Sequence, residues 1–282
     1  MDGPLQRRKM QASLPEGADN PLNAAVSARD RDAVAMASEA VRHKQCMLAF
    51  QPVMQSRPPH QTAFYEGFIR VLDATGRVIP AREFMPSVEN SELGREIDCI
   101  ALEKGLRTLM RNPQLRLSIN MSARSVGYRK WMRVLERFLL KDKTLGERLI
   151  LEMTESSVMT VPELVIDFMD RLQDKGIAFA LDDFGAGSST LRYFKDFFFD
   201  AAKIDGQFIR GVSKSADAQS MARALVGFAQ EFDMLTIAES VETVEDAEFL
   251  VSIGVDCLQG YLFGAPAVSP PWKDTDEAEA SA

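Results

Sequence analysis

The sequence predicts an α/β chain closed into a (β/α) barrel, and three observations lead there. Short runs of continuous apolar residues alternate with helical patterns, and strands that are apolar on both faces belong to parallel sheets covered by crossover helices. Six successive strand candidates (RLSINMS, LILEMTE, FALDD, AAKID, LTIAE and CLQGY) carry polar groups at or near their C-terminal edges. These are Asn120, Glu152 with Glu155, Asp182 with Asp183, Lys203, Glu239 and Gln259. They recur at roughly the length of one β/α unit, and the C-terminal rim of a barrel is where such folds place their chemistry. An open doubly wound sheet would instead use the few strands at a switch point.

In chain order, the stretch through Val26 is rich in Pro, Gly, Asn and Ala, with Arg7, Arg8 and Lys9 as its charge cluster, and reads as a loose arm. Ser27, followed by acids in the first turn and good helix formers, predicts a helix leading into the domain, so residues 1–40 are arm plus helix. The barrel then takes residues 41–268. Within it, TVPELVIDFMDRLQDKG predicts a helix opened by a Thr160–Glu163 capping box. Val165, Phe168, Met169 and Leu172 form its apolar face, and Gly176 makes a left-handed stop. Met221, Leu225, Phe228 and Phe232 mark the next helix; Thr243, Asp246 and Gly254 frame the one after. The acidic end, opening on two prolines, predicts a disordered tail over 269–282.

Composition narrows the function. A chain of 282 residues, 46% apolar and 26% charged, can bury one large core. Its net charge of −8 argues against DNA or RNA duplexes and anionic lipid as partners, and a small anionic ligand would need a local remedy such as bound cations. Cys46, Cys99 and Cys257 are odd in number and lack C-x-x-C spacing, which suggests neither a disulfide framework nor zinc. Arg7–Lys9 lead into MQASLPEGADNPLN rather than the apolar segment of a signal peptide, and no window reaches membrane-span length. The expected location is the cytoplasm.

Carboxylates gathered at one mouth repel one another in a partly dry site, and without cations some would have to protonate. The donors are nearly all oxygen: Glu66, Asn120, Glu152, Asp182, Asp183 and Glu239. Such a set favours magnesium or manganese, with calcium able to compete, whereas zinc would more often bring His or Cys. His43 and His60 lie outside these segments and read as surface residues. Adjacent Asp182 and Asp183 would point to opposite faces of a strand, so they can serve one site only where FALDD gives way to the GAGSS loop. Two cations held there suit in-line attack on a phosphodiester, and Lys203 adds a movable positive charge near the water or phosphate. The DFG tripeptide lacks the other kinase signatures, and GAGSS lacks the ending of a P-loop.

In order along the chain stand FQPV, YEGFIR, INMS, LEMTES, LDDFGAGSS, KID, AESVET and QGYLFGAP, from Phe50 to Pro266. This series resembles the EAL-domain phosphodiesterases, which hydrolyse cyclic di-GMP. The resemblance implies a (β/α)8 TIM-like barrel with an antiparallel first strand. It also implies two divalent cations, Mg2+ or Mn2+, with Ca2+ as an inhibitor. Glu66, Asn120, Glu152 and Asp182 would bind the first metal with Glu239 close by, and Asp183 would complete the second. Lys203 would position the attacking water, and Glu239 would be ligand or base. Gln259 would hold water and pocket geometry, Arg70 would contact a ligand phosphate with Gln51 nearby, and Glu155 would anchor the loop that links the metal site to a homodimer interface.

This chain departs from the pattern at Gly67 and Phe68, giving E-G-F for E-A-L, and at Val71, Ser188 and Ser240, where the family has an aromatic residue, tyrosine and glycine. The leading expectation is an enzyme opening cyclic di-GMP to linear pGpG. The alternatives are an EAL-like domain that binds the dinucleotide as a receptor without cleaving it, and a protein-interaction scaffold. No cyclase or sensory module finds room in the sequence, so regulation would enter through the arm, the dimer interface or a separate regulatory protein.

Overall fold

The protein is described by a computed structural model over residues 21–187, 194–270 and 272. The expectations for the arm ahead of Pro21, for Ser188 and for most of the acidic tail lie outside these residues. Nine strands form one sheet: β1 (Cys46–Gln55), β2 (Thr62–Leu72), β3 (Val78–Pro80), β4 (Leu117–Asn120), β5 (Leu149–Thr154), β6 (Ala178–Phe184), β7 (Ala201–Ile204), β8 (Leu235–Ala238) and β9 (Cys257–Gln259). The sheet closes because β1 pairs with both β9 and β2. Eight strands make the barrel and β3 extends β2 at its edge. Every barrel pairing is parallel except those of β1, which runs antiparallel to both neighbours. The expected TIM-like barrel with a reversed first strand is therefore present.

Helix α1 (Pro21–Arg42) precedes β1, and α2 (Met85–Val88), α3 (Glu92–Arg111), α4 (Arg129–Leu139), α5 (Glu155–Val158), α6 (Pro162–Gln173), α7 (Gly206–Ile209), α8 (Ala216–Glu231) and α9 (Val244–Ser252) lie in the strand connections. Four local expectations need correction. Helix α1 starts at Pro21 rather than Ser27, since proline at a first helical position lacks only an amide that has no partner there. The Thr160–Glu163 box does not form; α6 starts after Val161, and Thr160 Oγ1 donates to Ser157 O instead. On α8 the fully buried residues are Ala222, Val226 and Ala229, whereas Met221 and Phe232 are exposed, because a helix close to the barrel fits small side chains inward. Trp272, assigned to the free tail, stands edge-on to Tyr65 and Phe50 at 4.4 and 5.1 Å between ring centres. The Thr243 cap of α9, the buried face of α6 and the positive φ of Gly176 and Gly254 agree with expectation.

The barrel interior is layered. Val53, Phe64, Ala180, Ala201, Ile237 and Cys257 pack together on its axis with Ile150 beside them. Strand side chains alternate between faces, so the residue two positions along returns to the interior one layer higher. From these apolar residues that step reaches Gln51, Glu66, Glu152, Asp182, Lys203, Glu239 and Gln259, and Asn120 occupies the same level on β4, paired with Glu152. For β1 the step runs backwards, from Val53 to Gln51, because the strand is reversed. All eight barrel strands thus deliver one polar group to a single storey above an apolar floor.

Candidate active site

Lys203 is the centre of that storey. Its side chain is 1% exposed, and Nζ lies 2.8 Å from Glu152 Oε2 and Glu239 Oε1, 2.9 Å from Glu66 Oε2 and 3.2 Å from Asp182 Oδ1. A lysine held by four carboxylates does not swing, so the expectation of a movable charge is corrected. Burial works against its proton, but Asp182, Glu152, Glu239 and Glu66 outweigh that cost and hold the ammonium well above the usual lysine range.

Glu66 is oriented by three donors. Gln259 Nε2 donates to its Oε2 at 2.7 Å, Lys203 to the same oxygen, and Asn120 Nδ2 to Oε1 at 2.7 Å. Burial alone would raise this carboxyl, yet Lys203, Gln259 and Asn120 together leave it lowered, hence ionised. Gln259 also donates to Gln51 Oε1 at 3.1 Å, and Gln51 donates to Gly264 O at 2.9 Å. This relay fixes the first strand against the last. Glu152 is driven well upward, first by burial and then by Glu66. Glu239 is pushed up to about 8 by burial, with Asp182 and Glu66 adding to it against the pull of Lys203; its side chain keeps 21% of its surface exposed, so water relieves part of that rise.

Asp183 answers how two adjacent acids face one site. Its φ is +55°, and the β6–β7 register shifts between Leu181 and Phe184, so the strand turns at this residue. Oxygens of Asp182, Asp183 and Glu239 consequently all lie within 4.8 Å of one another. Burial, Asp182 and Asp205 raise the Asp183 carboxyl to about 6. Past the turn, buried Glu155 accepts a hydrogen bond from Gly185 N at 3.0 Å, and a Cβ on Gly187 would come 2.9 Å from its Oε1. Arg70 lines the cavity next to Glu239, with Nη1 on Ile69 O and the guanidinium 5.4 Å from the Phe68 ring centre.

The donor set fits hard divalent cations. Besides the three-oxygen group, Glu152 Oε1 is buried without a hydrogen bond, and Asp182 Oδ1 has only the Lys203 ammonium at 3.2 Å, which it shares with three other acids. Orphaned buried carboxylate oxygens are costly unless something positive completes them. The storey brings together the site residues singled out from the sequence except Asp183, which joins at its rim through the turn, Glu155, which follows β5 at the start of α5, and Arg70, which lines the adjoining cavity.

A family model described as EAL domain matches residues 34–266. The chain belongs to the EAL domain family. Over 244 residues it is 32% identical to the cyclic di-GMP phosphodiesterase PdeF of Escherichia coli strain K12, covering 84% of this chain and 32% of that protein. It is likewise 28% identical to PdeR of the same strain, across 81% of this chain and 35% of the relative. The EAL chain thus spans about a third of the length of such curated relatives. Among solved structures it resembles the PaMucR phosphodiesterase in complex with c-di-GMP, at 26% identity and a TM-score of 0.74, covering 86% of this chain and 99% of that one. The FimX EAL domain from Pseudomonas aeruginosa, at 22% identity and a TM-score of 0.76 over 84% of this chain and 97% of that one, shares the fold.

Two departures from the family pattern have structural reasons. At Gly67 a Cβ would sit 2.8 Å from Ile119 Cδ1, so the isoleucine occupies the missing methyl's place. Ser240 holds φ +55°, the left-handed region that favours glycine, and its Oγ accepts a hydrogen bond from Arg210 Nη2 at 2.9 Å over Gly206. Three residues at the site escape a reading of motifs. Asp98 on α3 is buried, accepts from Ser122 N and Ser125 Oγ, and lines the cavity over the acids; its only signal is an acid placed on the apolar stripe of Ile97, Ala101 and Leu102. Arg82 and Arg210 line the adjoining cavity and carry no spacing signal.

Proposed function

We propose that this chain is a divalent-metal-dependent phosphodiesterase that opens cyclic di-GMP to linear pGpG. The observation that carries this reading is the single storey of inward polar residues, in which four carboxylates meet one buried lysine and Asp183 adds a fifth acid at the rim. The relatives named cyclic di-GMP phosphodiesterases support the substrate class. Glu66, Asn120, Glu152 and Asp182 would hold one Mg2+ or Mn2+, and Asp183 with Glu239 a second. When bound, the cations neutralise developing charge on the phosphoryl oxygens and make water a stronger acid.

The chain's own groups supply the rest. With cations sharing its carboxylates, Lys203 Nζ would free one N–H for the attacking water, whose proton would pass to a Glu239 carboxylate oxygen. The water oxygen forms the new bond to phosphorus as the P–O3′ bond breaks; O3′ takes a proton from solvent and Glu239 returns its own to solvent, leaving a 5′-phosphate on the linear product. Gln259 and Gln51 keep Glu66 in one orientation, and Arg70 binds ligand phosphate. The apolar floor keeps bulk water away from below.

A receptor without turnover is the second reading, favoured by one observation: Lys203 already compensates four acids, so the storey tolerates itself without a metal. The protein is expected to work as a cytoplasmic homodimer, with Glu155 coupling the Asp182–Asp183 turn to the interface and a separate protein supplying regulation. Incubation with cyclic di-GMP and magnesium or manganese, followed by chromatography, separates the readings: pGpG is expected, and binding without product overturns hydrolysis in favour of the receptor.

A further inference from the structure

Two cavities open side by side at the lip. One, of about 360 Å³, lies over Glu66, Glu152, Asp182 and Lys203. The other, of about 310 Å³, is lined by Arg70, Arg82 and Arg210 with Tyr261. They share Phe68, Ala81 and Glu239, so one ligand can lie across both. Their charges differ: the first wall is predominantly acidic, whereas the second sets three guanidiniums against Glu239 and Glu242.

Those guanidiniums are poorly compensated for a chain of net charge −8. Arg70 donates to a backbone carbonyl and lies against Phe68, and the charge of Arg82 is close enough, after burial, to help lower its basicity. Arg82 is exposed and joins no ion pair among the described residues. Arg210 is steadied at the rim by Ser240 Oγ at 2.9 Å and by Glu242 Oε1 at 3.8 Å. Three guanidiniums facing Glu239 and Glu242 leave the wall with a net positive charge, which an anion among them would neutralise. A planar guanidinium is the side chain best shaped to grip phosphate oxygens.

We propose that this second cavity seats the distal phosphate of a cyclic dinucleotide while the first phosphate lies over the acids, and that Arg82 and Arg210 are specificity residues for a two-phosphate ligand. The inference rests on the phosphodiesterase reading and adds two residues of this chain to it. A diester with one phosphate uses the acidic cavity alone and gains nothing from either arginine. Ser240 has a stated part as well, since its hydroxyl fixes Arg210 at the rim.

Initial rates with manganese on cyclic di-GMP and on bis(p-nitrophenyl) phosphate, a one-phosphate diester, test it in wild type, Arg82→Ala, Arg210→Ala and Arg82→Glu. For cyclic di-GMP each alanine variant should raise KM about tenfold, the loss of one charge-assisted contact, with kcat within about twofold, and Arg82→Glu should raise KM further. Rates on the one-phosphate diester should not change. Both side chains are exposed, so melting curves should overlay the wild type's; should Arg210→Ala melt early, the graded response from Arg82→Ala to Arg82→Glu decides the matter. An active wild type whose variants keep its KM for cyclic di-GMP overturns this inference and leaves the phosphodiesterase reading standing. A wild type inactive on cyclic di-GMP overturns both.

Discussion

Replacing Lys203 with methionine tests the electrostatics of the site most directly. The substitution keeps the length and apolar stem of the side chain and removes the one ammonium that faces Glu66, Glu152, Asp182 and Glu239 at 2.8 to 3.2 Å. Removing one partner of a buried ion pair costs about 3 to 5 kcal/mol, because the other charge stays behind uncompensated. In a chain of this size each kcal/mol moves the melting temperature by about 2 to 4 °C, so a fall of roughly 10 °C is expected at about pH 8 in EDTA. Without the lysine, burial and mutual repulsion raise the Glu152 and Glu239 carboxyls further. Groups with a raised folded pKa stabilise fully below the unfolded value, about 4 for carboxylates, and lose that contribution as pH rises through the folded one. The deficit of Lys203→Met should therefore shrink toward about pH 5, and manganese should restore part of it at high pH by replacing the missing positive charge. Melting followed by circular dichroism across that range decides the question. Identical curves for wild type and variant in EDTA at every pH would refute the idea that Lys203 is what makes the acids compatible.

Asp98 gives a second pH test, since burial, only partly opposed by Ser125 and the Ser122 amide, pushes its carboxyl to about 7. Its contribution is complete below the unfolded pKa near 3.8 and is lost as pH rises through about 7, so wild type should shed about 2 to 3 kcal/mol of urea-unfolding free energy between about pH 5 and pH 8 that Asp98→Asn retains. Parallel pH curves for the two proteins would count against this. A Cβ on Gly206 would lie 2.3 Å from Ser240 Oγ, so Gly206→Ala should cost about 1 to 3 kcal/mol by overpacking and Ser240→Gly should rescue it; a double-mutant cycle with no coupling would exclude that contact. Glu155→Ala removes the acceptor of Gly185 N, and the manganese concentration for half-maximal rate should rise about 10- to 100-fold, as it does when groups supporting metal ligands are lost. An unchanged metal dependence would uncouple the loop anchor from the aspartate turn.

What the residues alone determined follows from short-range rules. Alternation and helical periodicity are local, so the β/α rhythm could be read directly, along with the α6 face at Val165, Phe168, Met169 and Leu172 and the caps at Thr243 and Gly254. A polar residue ending an apolar run is local too, and this exposed Asn120, Glu152, Asp182, Lys203, Glu239 and Gln259 before any contact was known. The need for a break after FALDD was legible for the same reason, and φ +55° at Asp183 is how the chain meets it.

Tertiary structure alone decided the groupings that depend on distant segments. Gln259 meets Gln51 across 208 positions and Lys203 meets Glu66 across 137, distances over which no periodicity carries information. Closure of the barrel by an antiparallel β1 creates the first pairing, and the common height of the eight strands creates the second. Lys203 is immobile, Asp98 is buried and Arg82 stands beside Arg70 because charge and burial are properties of a surrounding volume, and that volume exists only once the sheet has closed.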